Sequence, residues 1–319
     1  MASFAVPSPA LADWSFNTAG SMYYTDDTAL FSATRRLNLD GDPTQPALDT
    51  TLTGKGSDMV FEPDLTATKA FTSEWGRTEL SFRGQGFIYA VNPRFNQANV
   101  GIQLLQDVAK DTKIRLRYYS TPNVLLGDNE SKQTGLVEEE RVTSHIGSLR
   151  LEQRLSDKWE VRLLARYGSR TYNDAFAQRD ATFWTIGPHV VWHFTERLGL
   201  VIGYHYERGL ADGRKEPQLE DDTSYVNHYA TVGLEGELTE RISMEAGVHY
   251  ERNNLTSGIP GDERNGGHET VFQGEANLRY RFTEQLGGKA GFQRSQRRQS
   301  FEDEIVHNTN VFAGLYDQF

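Results

Sequence analysis

The sequence predicts an all-β fold: a transmembrane antiparallel β-barrel, built as an up-and-down meander of about fourteen strands. Three observations carry that expectation. Long segments alternate apolar and polar residues with period two. One short turn motif recurs at a near-constant interval. Mean hydropathy is only −0.59, yet aromatic residues make up 11% of the chain. A lumen-bearing barrel has this combination, because half of each strand faces water and the other half faces lipid.

The segment FTERLGLVIGYHYE, residues 194–207, shows the alternation most clearly. Leu198, Leu200, Ile202, Tyr204 and Tyr206 share one face, and Gly199, Val201, Gly203, His205 and Glu207 share the other. Successive strand side chains point to opposite faces, so this is a strand with one apolar side. In chain order the same reading gives strands over 13–24, 58–72, 77–89, 97–107, 112–120, 141–155, 158–170, 181–195, 197–208, 225–239, 241–252, 269–283, 285–296 and 306–319. Segment 28–37 adds a strand or belongs to the first outer loop.

Strand 158–170 sets Trp159, Val161, Leu163, Ala165 and Tyr167 against Glu160, Arg162, Leu164 and Arg166. Strand 241–252 opposes Ile242, Met244, Ala246, Val248 and Tyr250 to Ser243, Glu245, Gly247, His249 and Glu251. Strand 269–283 opposes Phe272, Gly274, Ala276, Leu278, Tyr280 and Phe282 to Gln273, Glu275, Asn277, Arg279 and Arg281. Aromatics gather at both ends of the apolar faces: Trp159, Trp192, Phe194 and Phe282 at one, Tyr167, Tyr204, Tyr206 and Tyr250 at the other. A bilayer selects such paired girdles; a soluble sandwich has no reason to place aromatics at two fixed heights.

The turns follow one form: an apolar residue, Ser or Thr, an acid, then Lys, Arg or Gln, then an apolar residue. It occurs at Leu155–Trp159, Phe194–Leu198, Leu238–Ile242 and Phe282–Leu286, with spacings of 39, 44 and 44 residues. Each is flanked by alternating strands and reads as a tight hairpin. Between them lie Gly-, Asp-, Asn- and Pro-rich stretches such as 209–224 and 253–267. The repeat is a two-strand unit, with short turns at one end and long loops at the other. A propeller blade of that length would hold four short strands instead.

Composition narrows the function. The chain has 319 residues, no cysteine and a net charge of −11. The charge and the lack of a basic stripe argue against nucleic acid; the lack of cysteine excludes thiol chemistry. No apolar run approaches the roughly 18 residues of a membrane helix, and strands of about 9–11 residues suffice for a barrel. Ala10-Leu11-Ala12 fits the small-x-small end of a secretory signal. Residues 1–12 are therefore expected to be the remnant of a signal peptide, and 13–319 a single barrel domain.

The chain ends NVFAGLYDQF. On this evidence it resembles the bacterial outer-membrane β-barrel proteins, and among them porin-like members rather than one named family. Phe319 at the terminus, Gly314 and Phe312 resemble the signal read by the barrel-assembly machinery, although Asp317 departs from its apolar pattern. The resemblance implies residence in the outer membrane of a Gram-negative bacterium, beside phospholipid and lipopolysaccharide.

Fourteen strands enclose more space than side chains alone fill, so a channel is expected unless a segment plugs it; residues 25–57, the longest loop, are the plug candidate. Its charges are sorted. Arg115, Arg117, Arg150, Arg154, Arg162 and Arg166 come from three neighbouring strands. Glu207, Glu235, Glu237, Glu245 and Glu251 come from the ninth to eleventh strands, and Arg279 and Arg281 from the twelfth. These groups either set a transverse field across the lumen or form ion-pair ladders; the two readings are compatible. His189, His193, His205 and His249 are inward, His189 and His205 at similar height, and read as pore lining rather than metal ligands. G-x-S-x-G is absent, and no Ser–His–acid set is apparent, so no catalytic residue, metal or cofactor is expected. The acidic stretches 128–140 and 216–222 read as solvated loops, or as sites for cations bridging lipopolysaccharide. The expected function is passive diffusion of small polar or charged solutes. The alternatives are the outer-membrane channel of an export system, for example for exopolysaccharide, with partners on other chains, and a closed structural barrel.

Overall fold

The computed structural model describes residues 13–28, 31, 56–74, 76–262, 264–300 and 305–319. They form one closed, wholly antiparallel barrel of fourteen strands, each paired with its sequence neighbours. The strands are β1 (Asp13–Thr25), β2 (Asp58–Ser73), β3 (Gly76–Tyr89), β4 (Gln97–Ala109), β5 (Thr112–Glu130), β6 (Val137–Arg154), β7 (Trp159–Tyr172), β8 (Ala181–His193), β9 (Leu198–Ala211), β10 (Tyr225–Glu237), β11 (Ile242–Leu255), β12 (His268–Arg281), β13 (Leu286–Gln299) and β14 (Ile305–Gln318). The ring closes between β1 and β14, from Asn17 opposite Gln318 to Thr25 opposite Asn310. Phe16 and Phe319 exchange both backbone bonds, at 2.7 and 2.9 Å. Closure is obligatory in hydrocarbon, where each unpaired backbone group costs several kcal/mol, of order 2–7.

The recurring turn motif has a chemical reason. The hydroxyls of Thr195, Thr239 and Thr283 each accept the N–H groups two and three residues on, for example Gln285 at 3.2 Å and Leu286 at 2.9 Å. Ser156 does the same for Lys158. The hydroxyl satisfies donors that a tight turn strands, and the flanking apolar pair closes the ladder: Phe282 N–H donates to Leu286 O at 2.9 Å.

Alternation holds through the barrel. Trp159, Trp192, Phe194 and Phe282 are exposed on the outward face at the short-turn end, and Tyr167, Tyr204 and Tyr250 toward the loops. Val201, Leu164, His249 and Gln273 are buried inside.

Two expectations need correction. Strands β5 and β6 run well past the predicted 112–120 and 141–155, to Glu130 and from Val137. Pro122 and Asn123 disguised the continuation: β5 bulges between Thr121 and Val124 and between Leu125 and Gly127. Asn123 takes φ +54°, left-handed backbone that Asn tolerates better than most residues. The acidic stretches are also not simply solvated. Glu140, Asp221 and Asp222 are buried, and Asp128 pairs with Arg94 at 2.5 Å. Asp128's partner and Asp221's partners come from other loops, which local sequence does not reveal. Residues 1–12 and most of 28–37 lie outside the described residues.

Candidate functional site: the lumen and its outer mouth

The arginines of β5–β7 stand close together on the wall. On β5–β7 the ladder sets Arg115 opposite Arg150 and places Ser148 between Arg117 and Arg166. Arg115 pairs with Glu152 at 3.2 Å. Arg162 bonds Glu160 at 2.5 Å and reaches Glu235 of β10 at 3.4 Å, bridging the two charged sectors. Arg117 donates to Gln103 at 2.5 Å. Among the described residues Arg117, Arg150 and Arg166 form no ion pair.

The acidic sector lies beside the basic one rather than across from it, because β9–β11 follow β8 round the wall. Glu207 accepts Thr185 at 2.5 Å and Tyr225 at 2.6 Å. Tyr225 in turn accepts Arg170 at 2.9 Å. Glu245 pairs with Arg279 at 3.1 Å, and Glu251 accepts Asn227. Arg154, Glu237 and Arg281 lie at the exposed short-turn rim, not at mid-lumen; Arg154 pairs with Asp157 of its own turn at 3.6 Å, and Arg281 donates to the Glu240 carbonyl. His189 and His205 face each other, Nε2 to Nε2, at 2.6 Å. His249 accepts or donates to Tyr229, Thr231 and Glu275 within 3.3 Å, while His193 stands near the rim. Of the three C-terminal residues, Phe312 and Gly314 point inward and Phe319 outward; Phe312 stacks on Tyr23 at 4.7 Å and Phe319 on Phe16 at 5.7 Å.

Sequence reasoning missed three groups. Arg170 continues the face of Arg162 and Arg166 by one step and was therefore legible. Glu62, bonded to Gln85 at 2.6 Å, and the Asp64–Arg83 pair sit on strands whose faces were not resolved. These β2–β3 residues line a cavity of about 660 Å³ together with Arg117, Glu245, Arg279 and Lys289.

Two clusters of buried contacts stand at the loop end. Phe31, a described residue of the long 25–57 loop, is fully buried against Tyr23, Phe87 and Tyr89, with ring centroids 5.4–6.1 Å apart. Opposite, Arg179 of the turn Asp174–Arg179 bonds Glu140 at 2.8 Å and Asp221 at 2.9 Å. Arg264 adds a bond to Asp221 at 2.7 Å, and Ser131 donates to the Ala175 carbonyl at 2.6 Å. Four loops are thereby tied together.

No protein-family model and no curated protein matches the chain. Solved structures do. The outer-membrane channel DcaP of Acinetobacter baumannii aligns over 100% of both chains with TM-score 0.51 and 10% identity. A bacterial polysaccharide outer membrane secretin aligns over 96% of this chain and 98% of its own, with TM-score 0.50 and 9% identity. At such identity the likeness is one of fold. The chain has the fold of bacterial outer-membrane β-barrels, a closed fourteen-strand antiparallel barrel.

Proposed function

We propose that the barrel is a passive channel for small polar or charged solutes, without a catalytic step, and that it favours anions through the row Arg117–Ser148–Arg166 and the adjoining Arg150. The observation that supports this reading most is that, among the described residues, these three lumen arginines form no ion pair, whereas neighbouring Arg115 and Arg162 do. A guanidinium inside a low-dielectric wall projects a stronger field than one in bulk water. Fixed cationic groups along a pore favour counter-ions and screen co-ions. The acids Glu207, Glu235 and Glu245 on the adjoining strands make the field transverse, which suits solutes carrying both signs or a strong dipole.

The test is single-channel conductance of refolded, heat-modifiable protein in a planar bilayer under a salt gradient. Steady openings with an anion-selective reversal potential are expected, and Arg150→Gln with Arg166→Gln should move that potential toward cations. Arg162→Gln should move it less, because its charge is already paired. Openings whose selectivity ignores all three substitutions would remove the arginine row from the permeation path. A closed barrel is the second reading, favoured by Phe31 and by the tied loops; a bilayer silent with native protein and conducting with Phe31→Ala would select it.

A further inference from the structure

The outward face of the barrel carries a feature that the channel reading does not use. On β9, β11 and β13 an outward aromatic is followed, at the next outward position toward the loops, by an arginine: Tyr206 then Arg208, Tyr250 then Arg252, Phe292 then Arg294. Arg298 follows further along β13. Thr270 of β12 pairs with Arg252 on one side and with Arg298 on the other, so the three stand in one row across three strands. Adjacent strands lie about 4.8 Å apart, which puts the two arginine backbones about 10 Å from each other, close enough for their side chains to converge. Gln296, Arg294 and His307 flank the row and are exposed.

Among the described residues the arginines there form no ion pair, and the nearby exposed acid Asp26 bonds the Thr309 N–H at 2.6 Å rather than a guanidinium. Arg252 donates to Asn254 at 3.0 Å and Arg294 to Thr309 at 3.0 Å, both neutral groups. None of Arg252, Arg294 and Arg298 forms an ion pair, and among the described residues no Asp or Glu shares the outward face of β11–β14 at this end. Arg297, next in sequence but facing the lumen, pairs with Glu269 at 2.7 Å. Among the described residues a carboxylate thus pairs with the inward arginine and with none of its outward neighbours.

We propose that this surface binds the phosphate groups of a phosphorylated glycolipid in the outer leaflet. The location fits: aromatic side chains mark the headgroup level, Arg252 and Arg298 stand one step beyond the Tyr250–Phe272 pair, and Arg294 stands one step before it, within reach of the same level by its long side chain. The chemistry fits as well. A guanidinium grips phosphate through two parallel hydrogen bonds, and three of them in one patch match a headgroup bearing two phosphates. A second copy of this chain is the weaker occupant: of the exposed outward acids toward the loops, Glu139 is already paired with Arg94 and Arg141, and Asp26 accepts the Asn308 amide and the Thr309 N–H.

The experiment measures lipid retained by the full-length barrel in detergent, quantified by native mass spectrometry. The probes are bis-phosphorylated lipid A, its dephosphorylated form and phosphatidylglycerol, with inorganic phosphate as competitor. Native protein should retain the bis-phosphorylated lipid well above the other two, and millimolar phosphate should not displace it. Arg252→Gln, Arg294→Gln and Arg298→Gln together should weaken retention on the order of a hundredfold, as expected for three basic residues at an anionic surface. Arg298→Gln alone, the variant to use should the triple one lose heat modifiability, should weaken it about fivefold. Arg197→Gln with Arg241→Gln, at the short turns, should leave retention unchanged. Equal retention of dephosphorylated lipid, equal loss in the short-turn variant, or displacement by inorganic phosphate would overturn the proposal. So would lipid-independent self-association that the triple variant abolishes, which would assign the face to a second copy.

Discussion

Arg179 and Asp221 meet at 2.9 Å, their side chains 5% and 0% exposed, although they belong to loops more than forty residues apart. A buried pair of this kind stabilises little relative to apolar residues of the same shape, but breaking it from one side is costly. Arg179→Met leaves Glu140 and Asp221 short of a counter-charge, and should cost about 3–5 kcal/mol of loop stability. Limited proteolysis should then cut within 212–224 while heat modifiability persists, because the strand ladder does not depend on that bond.

Phe31→Ala removes the ring about which Tyr23, Phe87 and Tyr89 gather. Truncating a buried Phe typically costs about 3–5 kcal/mol. Single-channel conductance should rise as the ring leaves the mouth; an unchanged conductance would show that the permeation path avoids Phe31.

Asp180 closes the turn after Arg179, and its carboxylate accepts the Tyr172 N–H at 2.6 Å. Burial, opposed by that hydrogen bond and reinforced by Asp212, raises its pKa above the ordinary 3.8. The folded chain therefore prefers the neutral acid. The resulting stabilisation is complete below about 3.8 and is lost as pH rises through the raised value. Asp180→Asn keeps the acceptor and removes the charge, so it should stabilise the loop at neutral pH and cease to do so in acid. Proteolytic susceptibility measured at pH 4 and pH 7 tests the sign.

Thr239→Ala and Thr283→Ala each delete the acceptor for two turn N–H groups. Each should cost about 0.5–1.5 kcal/mol in urea unfolding, and the matching Ser variants should recover most of it.

What the sequence made legible followed local rules. Period two placed the strands and their faces, since Tyr204 and His205 point apart wherever the chain goes. The repeated Thr marked the short turns because each hydroxyl serves its own turn. What stayed hidden was non-local. Asp221 reads as one acid in a run of them; its burial depends on Arg179 and Arg264, which arrive from other loops. The sorting of arginines and glutamates was readable, but not their placement beside each other, nor which arginines lack a partner, because the partner of Arg162 on β10 is fixed by the curvature of the wall. The β5 extension was lost to Pro122 and Asn123, which locally argue for an ending.

The joint between β1 and β14 differs in kind from every other pairing. Each remaining hairpin unites neighbours that emerge from synthesis within seconds of each other, whereas Asn308 reaches Thr25 and Asp26 across some 280 intervening residues. Non-local pairing must overcome the full chain entropy before it gains anything, so it comes late and slowly. Until then both edge strands carry unsatisfied backbone along their length. The wall can grow one hairpin at a time, but it becomes watertight in a single final act, and a chaperoning template at that open edge has one job: to hold it until its opposite arrives.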